Sequence, residues 1–199
     1  MRLLDQIITL NKVFTEQLQA GRTASVYQGK VSKYPERKLA ILTCMDTRLV
    51  DFLEPALGIK RGEAKIIKTA GNTITETCGA VIRSFMVAIY ELGVEELLVV
   101  GHDDCGMVKT TAEGLIKKME ARGVQKDAIY MIHDELTRWA DYFHYPNDNV
   151  RHTVEQLRHN PFIPKDIPVH GLIIDPDTGI ARIIVNGYDE LAKLKKGEI

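Results

Sequence analysis

Two cysteines and a histidine in this 199-residue chain have the residue types and the spacing of a zinc site. Cys44 directly follows the apolar run 38–43, and His102 and Cys105 follow the apolar run 96–100. We predict that both runs are buried parallel strands, whose carboxyl ends meet at one edge of an α/β sheet. Two sulfurs and an imidazole would supply three ligands of a tetrahedral zinc ion and leave its fourth position open. The open position indicates a catalytic zinc centre rather than a structural one.

A carboxylate and a guanidinium follow the first predicted ligand at intervals of two residues. In an extended segment, Cys44, Asp46 and Arg48 would project to the same side. Asp46 would then accept a hydrogen bond from zinc-bound hydroxide, and a bidentate pair with Arg48 would keep this carboxylate ionised. The alternative interpretation of the pair is an ordinary salt bridge in a loop.

The remaining cysteine, Cys78, is the alternative candidate for a fourth zinc ligand. It lies beside Gly79 and Ala80 at the start of a predicted helix, and no strand end delivers it to the site. We therefore interpret Cys78 as a small buried thiol.

The charge of the ligand set predicts a pH dependence. Zinc with two thiolates and one neutral imidazole has no net formal charge, so it should acidify a bound water less than zinc with neutral ligands does. A hydroxide nucleophile should consequently form most readily on the alkaline side of neutrality. An activity profile that is flat from about pH 6 to 9 would contradict this expectation.

Alternating strand and helix patterns place these residues in the fold. Apolar β-branched runs predict strands, and apolar residues at helical spacing predict the helices. The short links between them favour a parallel sheet wound with right-handed crossovers. The predicted strands are residues 38–43, 64–69, 96–100, 168–174 and 180–185. The predicted helices are residues 3–18, 49–57, 76–92, 127–141 and about 146–159, with a further helical stretch after Cys105 to about 120.

The predicted fold class is α/β, with a central, mostly parallel β-sheet flanked by helices. The segment 175–179 is typical of a turn, so the last two strands should form a hairpin with an antiparallel edge strand. An amphipathic N-terminal helix extends from the core through the polar, irregular segment 21–37, and it could pack on a partner subunit. We predict one domain over residues 1–199, with a helical arm at 1–37 and an α/β core at 38–199.

The charge and the apolar content exclude several classes of function. Lys and Arg total 26 and Asp and Glu total 27, which gives a net charge of −1 and no expected basic surface for nucleic acid. No apolar run approaches the roughly 18 residues of a membrane span. Three cysteines are an odd number and the N-terminus lacks a secretory pattern, so we predict a cytoplasmic protein with reduced thiols.

Three short motifs resemble those of the β-class carbonic anhydrases. They are C-x-D-x-R at 44–48, A-G-N at 70–72 and H-x-x-C-G at 102–106. The segments 66–72 and 169–175 are also similar to the compact prokaryotic branch of that family, and the resemblance covers most of the chain, from about residue 38 to 186. Either cysteine motif alone would be weak, whereas both at the ends of successive strands are specific.

The resemblance implies an enzyme that reversibly hydrates carbon dioxide to bicarbonate and a proton by means of a zinc-bound hydroxide. It implies one Zn²⁺ per subunit, held by Cys44, His102 and Cys105. It also implies that Asp46 and Arg48 form a catalytic dyad that orients the nucleophile.

The same resemblance implies a substrate site and an assembly. Gly106 is expected to bind bicarbonate through its backbone N–H, and Gly71 and Asn72 are the other expected substrate-binding residues. The implied assembly is a homodimer or a higher homo-oligomer, in which the N-terminal helix reaches across to the other subunit. In some family members the aspartate takes the fourth position on zinc, and for Asp46 this alternative stays open.

Two other functions compete with carbon dioxide hydration. The first is a hydrolase for a linear sulfur analogue such as carbon disulfide, on the same scaffold with a narrowed access tunnel. The second is a non-catalytic zinc or redox-sensing module, in which Cys44 and Cys105 exchange between metal and disulfide. A structural site has no use for Asp46 and Arg48, so this pair argues against the second alternative.

Other polar residues near and beyond the motifs receive a structural interpretation. Asp103 and Asp104 are candidate outer hydrogen-bond acceptors or acids at a helix start, and we interpret Asp103 as the latter. The histidines outside the motifs are interpreted as surface or hydrogen-bonded side chains. They are His133, His144, His152, His159 and His170.

Overall fold

Parallel strands form the central layer of the protein in the computed structural model, which describes residues 2–142 and 145–196. The strands are β1 (Leu39–Cys44), β2 (Ala64–Thr69), β3 (Glu96–His102), β4 (Val169–Ile174) and β5 (Ala181–Val185). Their order in the sheet is β2-β1-β3-β4-β5, and only the β4–β5 pair is antiparallel among these strands. The predicted α/β class with an antiparallel edge strand is confirmed.

The register of the strands brings three carboxyl ends to the same edge of the sheet. Cys44 at the end of β1 pairs with Thr69 at the end of β2, and Thr43 pairs with Val100 of β3. Strand β3 continues to His102, so this histidine is the last residue of a strand. The site residues predicted from the sequence are therefore delivered to one edge.

Helices and short turns connect and cover the strands. Helix α3 continues after its last residue as a π-helical turn to Glu91. The helices are α1 (Leu3–Gln19), α2 (Leu53–Ala56), α3 (Ala80–Met86), α4 (Ala112–Ala121), α5 (Lys126–Ala140), α6 (Pro146–His159) and α7 (Gly187–Lys196).

Several predicted helices have different bounds in the structure. The predicted helix 49–57 is reduced to α2, because Asp51 has a φ of 54° and interrupts the helical backbone. The predicted helix 76–92 starts four residues late, at Ala80. The stretch after Cys105 becomes helix α4 only at Ala112, where the Thr111 side chain accepts a hydrogen bond from a backbone N–H of the first turn. Helix α7 was not predicted.

The core has one buried cluster on each face of the sheet, because successive strand residues point to opposite sides. Ala40 and Leu42 of β1 pack in one cluster with residues of α3 and α6, and Ile41 packs in the other with α2. Helix α1 buries none of its residues in the chain. Among the described residues, no helix has the length and the apolar content that are needed to cross a membrane.

Candidate metal centre

Cys44, His102 and Cys105 form a buried cluster at the carboxyl edge of the sheet. Their ligand atoms all lie within 4.8 Å of one another, and the three residues are at most 4% exposed. The Sγ atoms of Cys44 and Cys105 are 3.9 Å apart. Two sulfurs bound to one zinc at about 2.3 Å, with a tetrahedral angle, lie roughly 3.8 Å apart. The sulfur positions therefore fit one zinc ion.

The ring of His102 is oriented by the backbone that follows it. Its Nδ1 atom lies 2.8 Å from the carbonyl oxygen of Asp103. Because a carbonyl only accepts hydrogen bonds, Nδ1 carries the hydrogen, and in the neutral ring Nε2 keeps its lone pair. Nε2 is buried without a hydrogen-bond partner. A desolvated acceptor of this kind costs free energy, and a metal ion is a partner that removes the cost.

The two sulfurs lie so close that they can both ionise only with a positive charge between them. The hydrogen bond between the two sulfurs lowers the pKa of Cys44 and raises the pKa of Cys105. The backbone amides of Gly71 and Asp46 also donate to Cys44, and the amide of Met107 donates to Cys105. Zn²⁺ would supply the missing charge, and it prefers this set of sulfur and nitrogen donors.

Asp46 and Arg48 form a bidentate ion pair beside the cluster. Asp46 Oδ1 accepts from the Arg48 backbone N–H at 2.9 Å and from Nε at 3.0 Å, and Oδ2 accepts from Nη2 at 2.9 Å. The hydrogen bonds from Arg48 lower the pKa of Asp46 to about 2. Asp46 Oδ2 also lies 3.7 Å from Nε2 of His102. The carboxylate is thus ionised at the rim of the ligand cluster.

The predicted extended conformation of this segment is wrong. Asp46 is the N-cap of a 3₁₀ turn, Thr47–Leu49, and its side chain caps the turn. The turn brings Arg48 back onto Asp46, because the capped N–H and the guanidinium then reach the same carboxylate.

Asp104 contacts the other side of Arg48. Its carbonyl oxygen accepts from Nη2 at 2.9 Å, and its Oδ2 accepts from Nη1 at 3.2 Å. Asp104 has a φ of 51°, in the left-handed region that L-residues with a side chain rarely adopt. Arg48 is therefore held between two aspartates, and of the two interpretations left open for Asp104 the structure shows a hydrogen-bond acceptor.

The A-G-N loop is buried beside the cluster, and Gly106 begins the turn after it. Gly71 and Asn72 both have positive φ, 69° and 51°, and Asn72 is 1% exposed. Gly106 starts the 3₁₀ turn Gly106–Lys109, and the space that a Cβ atom would take at Gly106 is open.

Comparisons with known proteins cover most of the chain. The sequence profile of the family described as carbonic anhydrase matches residues 39–181. A solved β-carbonic anhydrase, isoform I of Trichomonas vaginalis, is 44% identical and superimposes with a TM-score of 0.87. That match covers 94% of this chain and 100% of the other. The chain belongs to the β-carbonic anhydrase family.

Relatives of this β-carbonic anhydrase family member carry names for two activities. YtiB of Bacillus subtilis (strain 168), a protein assigned to the carbonic anhydrases, is 43% identical over 192 residues, which are 95% of this chain and 100% of YtiB. The carbon disulfide hydrolase of Acidithiobacillus thiooxidans is 31% identical over 157 residues, which are 73% of this chain and 76% of that protein.

Two neighbours of the cluster in this chain differ from the sequence interpretation. Cys78 is exposed rather than buried, and it is not among the clustered ligands. Asp103 does not start a helix, since a left-handed residue follows it and its carboxylate accepts two hydrogen bonds from Arg182, at 2.8 and 2.9 Å. This pair joins the loop after His102 to the edge strand β5.

The other described histidines take no part in the cluster. His133 lies beside the Asp134 carboxylate at 3.2 Å, and His170 Nδ1 accepts from the Gly187 backbone N–H at 3.1 Å. These contacts agree with the structural interpretation of the histidines. His144 lies outside the described residues.

Proposed function

We propose that this protein catalyses the reversible hydration of carbon dioxide to bicarbonate and a proton, with one zinc ion per subunit. The observation that carries the proposal is an ionised carboxylate, Asp46, held 3.7 Å from the unpartnered Nε2 of His102. A purely structural metal site needs no such group at its rim, whereas an enzyme uses it to orient a reacting water.

Cys44, His102 and Cys105 would hold the zinc, and the geometry of all three suits that role. Cys44 and Cys105 provide two sulfurs at the required separation, and His102 provides a lone pair on Nε2. When bound, zinc would supply a positive charge that stabilises both thiolates and lowers the pKa of a bound water molecule.

Asp46 would orient the nucleophile. An ionised carboxylate only accepts hydrogen bonds, so Asp46 would accept a hydrogen bond from the nucleophile and thereby orient it toward carbon dioxide. Arg48 keeps Asp46 ionised, and Asp104 keeps Arg48 in place. We infer that Asp46 pairs with Arg48 in the active protein and leaves the fourth zinc position open.

Gly106 would bind the product. Its backbone N–H stands at the start of the 3₁₀ turn, and Gly106 is exposed, so an anion such as bicarbonate would reach this residue from solvent. The substrate-binding role of Gly71 and Asn72 stays a prediction. For Gly71 we propose the additional role of holding Cys44, because its amide donates to that sulfur.

The sequence similarities favour carbon dioxide over carbon disulfide as the substrate. The chain is 44% identical to a β-carbonic anhydrase and 31% identical to a carbon disulfide hydrolase, and the first match also covers more of both chains.

The test is a stopped-flow assay of carbon dioxide hydration by the zinc-loaded protein, with carbon disulfide hydrolysis measured in parallel. Hydration well above the buffer rate supports the proposal. Full zinc content without hydration would contradict it, and hydrolysis of carbon disulfide alone would establish the other activity.

We also propose that the protein assembles as a homodimer or a higher homo-oligomer through helix α1. Apolar side chains left in water on one helix mark an interaction surface. Seven apolar residues of α1 are each 41% or more exposed: Leu3, Leu4, Ile7, Ile8, Leu10, Val13 and Phe14. Residues 1–37 would then act as an arm of a single domain that spans 1–199. Free thiols at all three cysteines agree with a cytoplasmic location.

A further inference from the structure

Helix α6 carries a row of polar side chains that reaches toward the metal centre. Three of them lie on α6 at helical spacing, and the fourth is the residue that ends the helix. Each donates a hydrogen bond to a backbone carbonyl in the segment 71–77. The pairs are Asn149 with Gly71 (2.7 Å), Thr153 with Asn72 (3.3 Å), Gln156 with Ile74 (3.2 Å) and Asn160 with Thr77 (2.9 Å).

The segment 71–77 has no regular secondary structure after the short turn at 70–72, so most of its carbonyls have no partner in a helix or a sheet. Gly71 and Asn72 also adopt left-handed backbone conformations, which for a residue such as Asn72 cost free energy. A conformation of this kind persists only where surrounding contacts impose it. The donors of α6 supply such contacts.

Two glycines let α6 lie close enough to the sheet for these contacts. A Cβ atom at Gly101 of β3 would lie 2.7 Å from one methyl group of Val150, and a Cβ atom at Gly171 of β4 would lie 2.7 Å from the other. Val150 itself is fully buried. Since no side chain at either glycine keeps Val150 away, its neighbour Asn149 reaches the carbonyl of Gly71.

Asn149 is connected to the proposed zinc ligand Cys44 through a single residue, Gly71. Asn149 is 5% exposed and holds the carbonyl of Gly71, which lies two residues after Thr69, the strand partner of Cys44. The backbone of Gly71 is also a hydrogen-bond partner of the Cys44 sulfur. We propose that helix α6 is a positioning element of the metal centre, in which Asn149 fixes the Gly71 amide against Cys44 and thereby raises the affinity of the site for zinc. This proposal rests on the proposed zinc site.

The test compares Asn149→Asp with Asn147→Asp. Both changes turn an amide into a carboxylate on the same helix and add the same charge, but Asn147 is exposed. In Asn149→Asp a carboxylate faces the Gly71 carbonyl, so two acceptors repel. We expect the zinc dissociation constant, measured by chelator competition, to rise about tenfold or more, as for other residues that support metal ligands. Asn147→Asp should stay within about twofold of the wild type.

A second readout does not depend on metal. Amide hydrogen exchange of Gly71 in the metal-free protein should be faster in Asn149→Asp by about tenfold and unchanged in Asn147→Asp. Gly171→Ala provides an independent variant if Asn149→Asp does not fold. Its Cβ atom pushes Val150 and α6 away while Asn149 stays intact, and the same two effects are expected.

The results separate this proposal from the proposed function. A wild type that binds zinc but does not hydrate carbon dioxide would contradict the function, and the difference in zinc affinity between the variants would still support the role of α6. Wild-type zinc affinity and wild-type Gly71 exchange in Asn149→Asp would overturn the role of α6, whatever the hydration rate of the wild type.

Discussion

Replacing Asp46 with asparagine removes a charge at the metal centre and keeps the size of the side chain. In the native protein Asp46 receives three hydrogen bonds from Arg48. The amide can keep the contacts at Oδ1, but its NH₂ group then faces Nη2 of Arg48, and two donors oppose each other. The variant therefore loses both the ion pair and the acceptor that we assign to the nucleophile.

We expect Asp46→Asn to lower both the free energy of unfolding and the hydration rate, and the structure indicates by how much. The lowering of the Asp46 pKa from 3.8 to about 2 corresponds to about 2 kcal/mol in favour of the ionised form. Because Arg48 is 36% exposed and screened by solvent, we expect the free energy of unfolding to fall by only about 1 kcal/mol at neutral pH. This stabilisation is present above the unfolded pKa of 3.8 and is lost as the pH falls through about 2. The hydration rate should fall further, by about 10- to 100-fold.

The assay is stopped-flow carbon dioxide hydration, with zinc content measured on the same samples. Glu63→Gln is the matched control, since Glu63 is 15% exposed, pairs with Arg37 at 2.9 Å and precedes the amino end of β2, away from the site. We expect Asp46→Asn to keep its zinc and lose activity, and Glu63→Gln to stay within about twofold of the wild type. A wild-type rate in zinc-loaded Asp46→Asn would refute the assigned role of Asp46.

Three further predictions concern pH, assembly and stability. The hydration rate should rise between about pH 6 and 9, because the deprotonated nucleophile is the active form and Asp46 is already ionised; a flat profile would contradict this. Deletion of residues 1–20 should convert a dimer to monomers in sedimentation velocity, and a full-length chain that is already monomeric would argue against α1 as the contact. Phe85→Ala, at a fully buried position, should reduce the free energy of unfolding by about 3–5 kcal/mol in denaturant titration, whereas a loss below about 1 kcal/mol would show that this core can refill the cavity.

The sequence predicted the parts of the fold and site that depend on short-range patterns. Apolar β-branched runs located all strands of the sheet to within two residues, because buried parallel strands have few other compositions. The positions of Cys44 and His102 could be predicted from these strands, since each residue stands at the carboxyl end of one of the apolar runs. Their convergence with Cys105 is a consequence of parallel topology.

Features that depend on long-range contacts or on single backbone torsions could not be predicted. The left-handed conformations of Asp51 and Asp104 interrupt a helix in one place and turn a carbonyl toward Arg48 in the other. The polar row of α6 resembles a solvent-facing surface in the sequence, because Asn149 and Thr153 are polar residues at helical spacing. Only the tertiary structure shows that this row packs against the segment 71–77.

The most direct test of the account is X-ray absorption spectroscopy at the zinc edge of the purified protein. We predict one zinc per chain, with two sulfur neighbours at about 2.3 Å and the remaining neighbours, nitrogen or oxygen, at about 2.0 Å. A zinc shell without sulfur, or a protein that cannot be loaded with zinc, would contradict the assignment of Cys44, His102 and Cys105 as the metal centre.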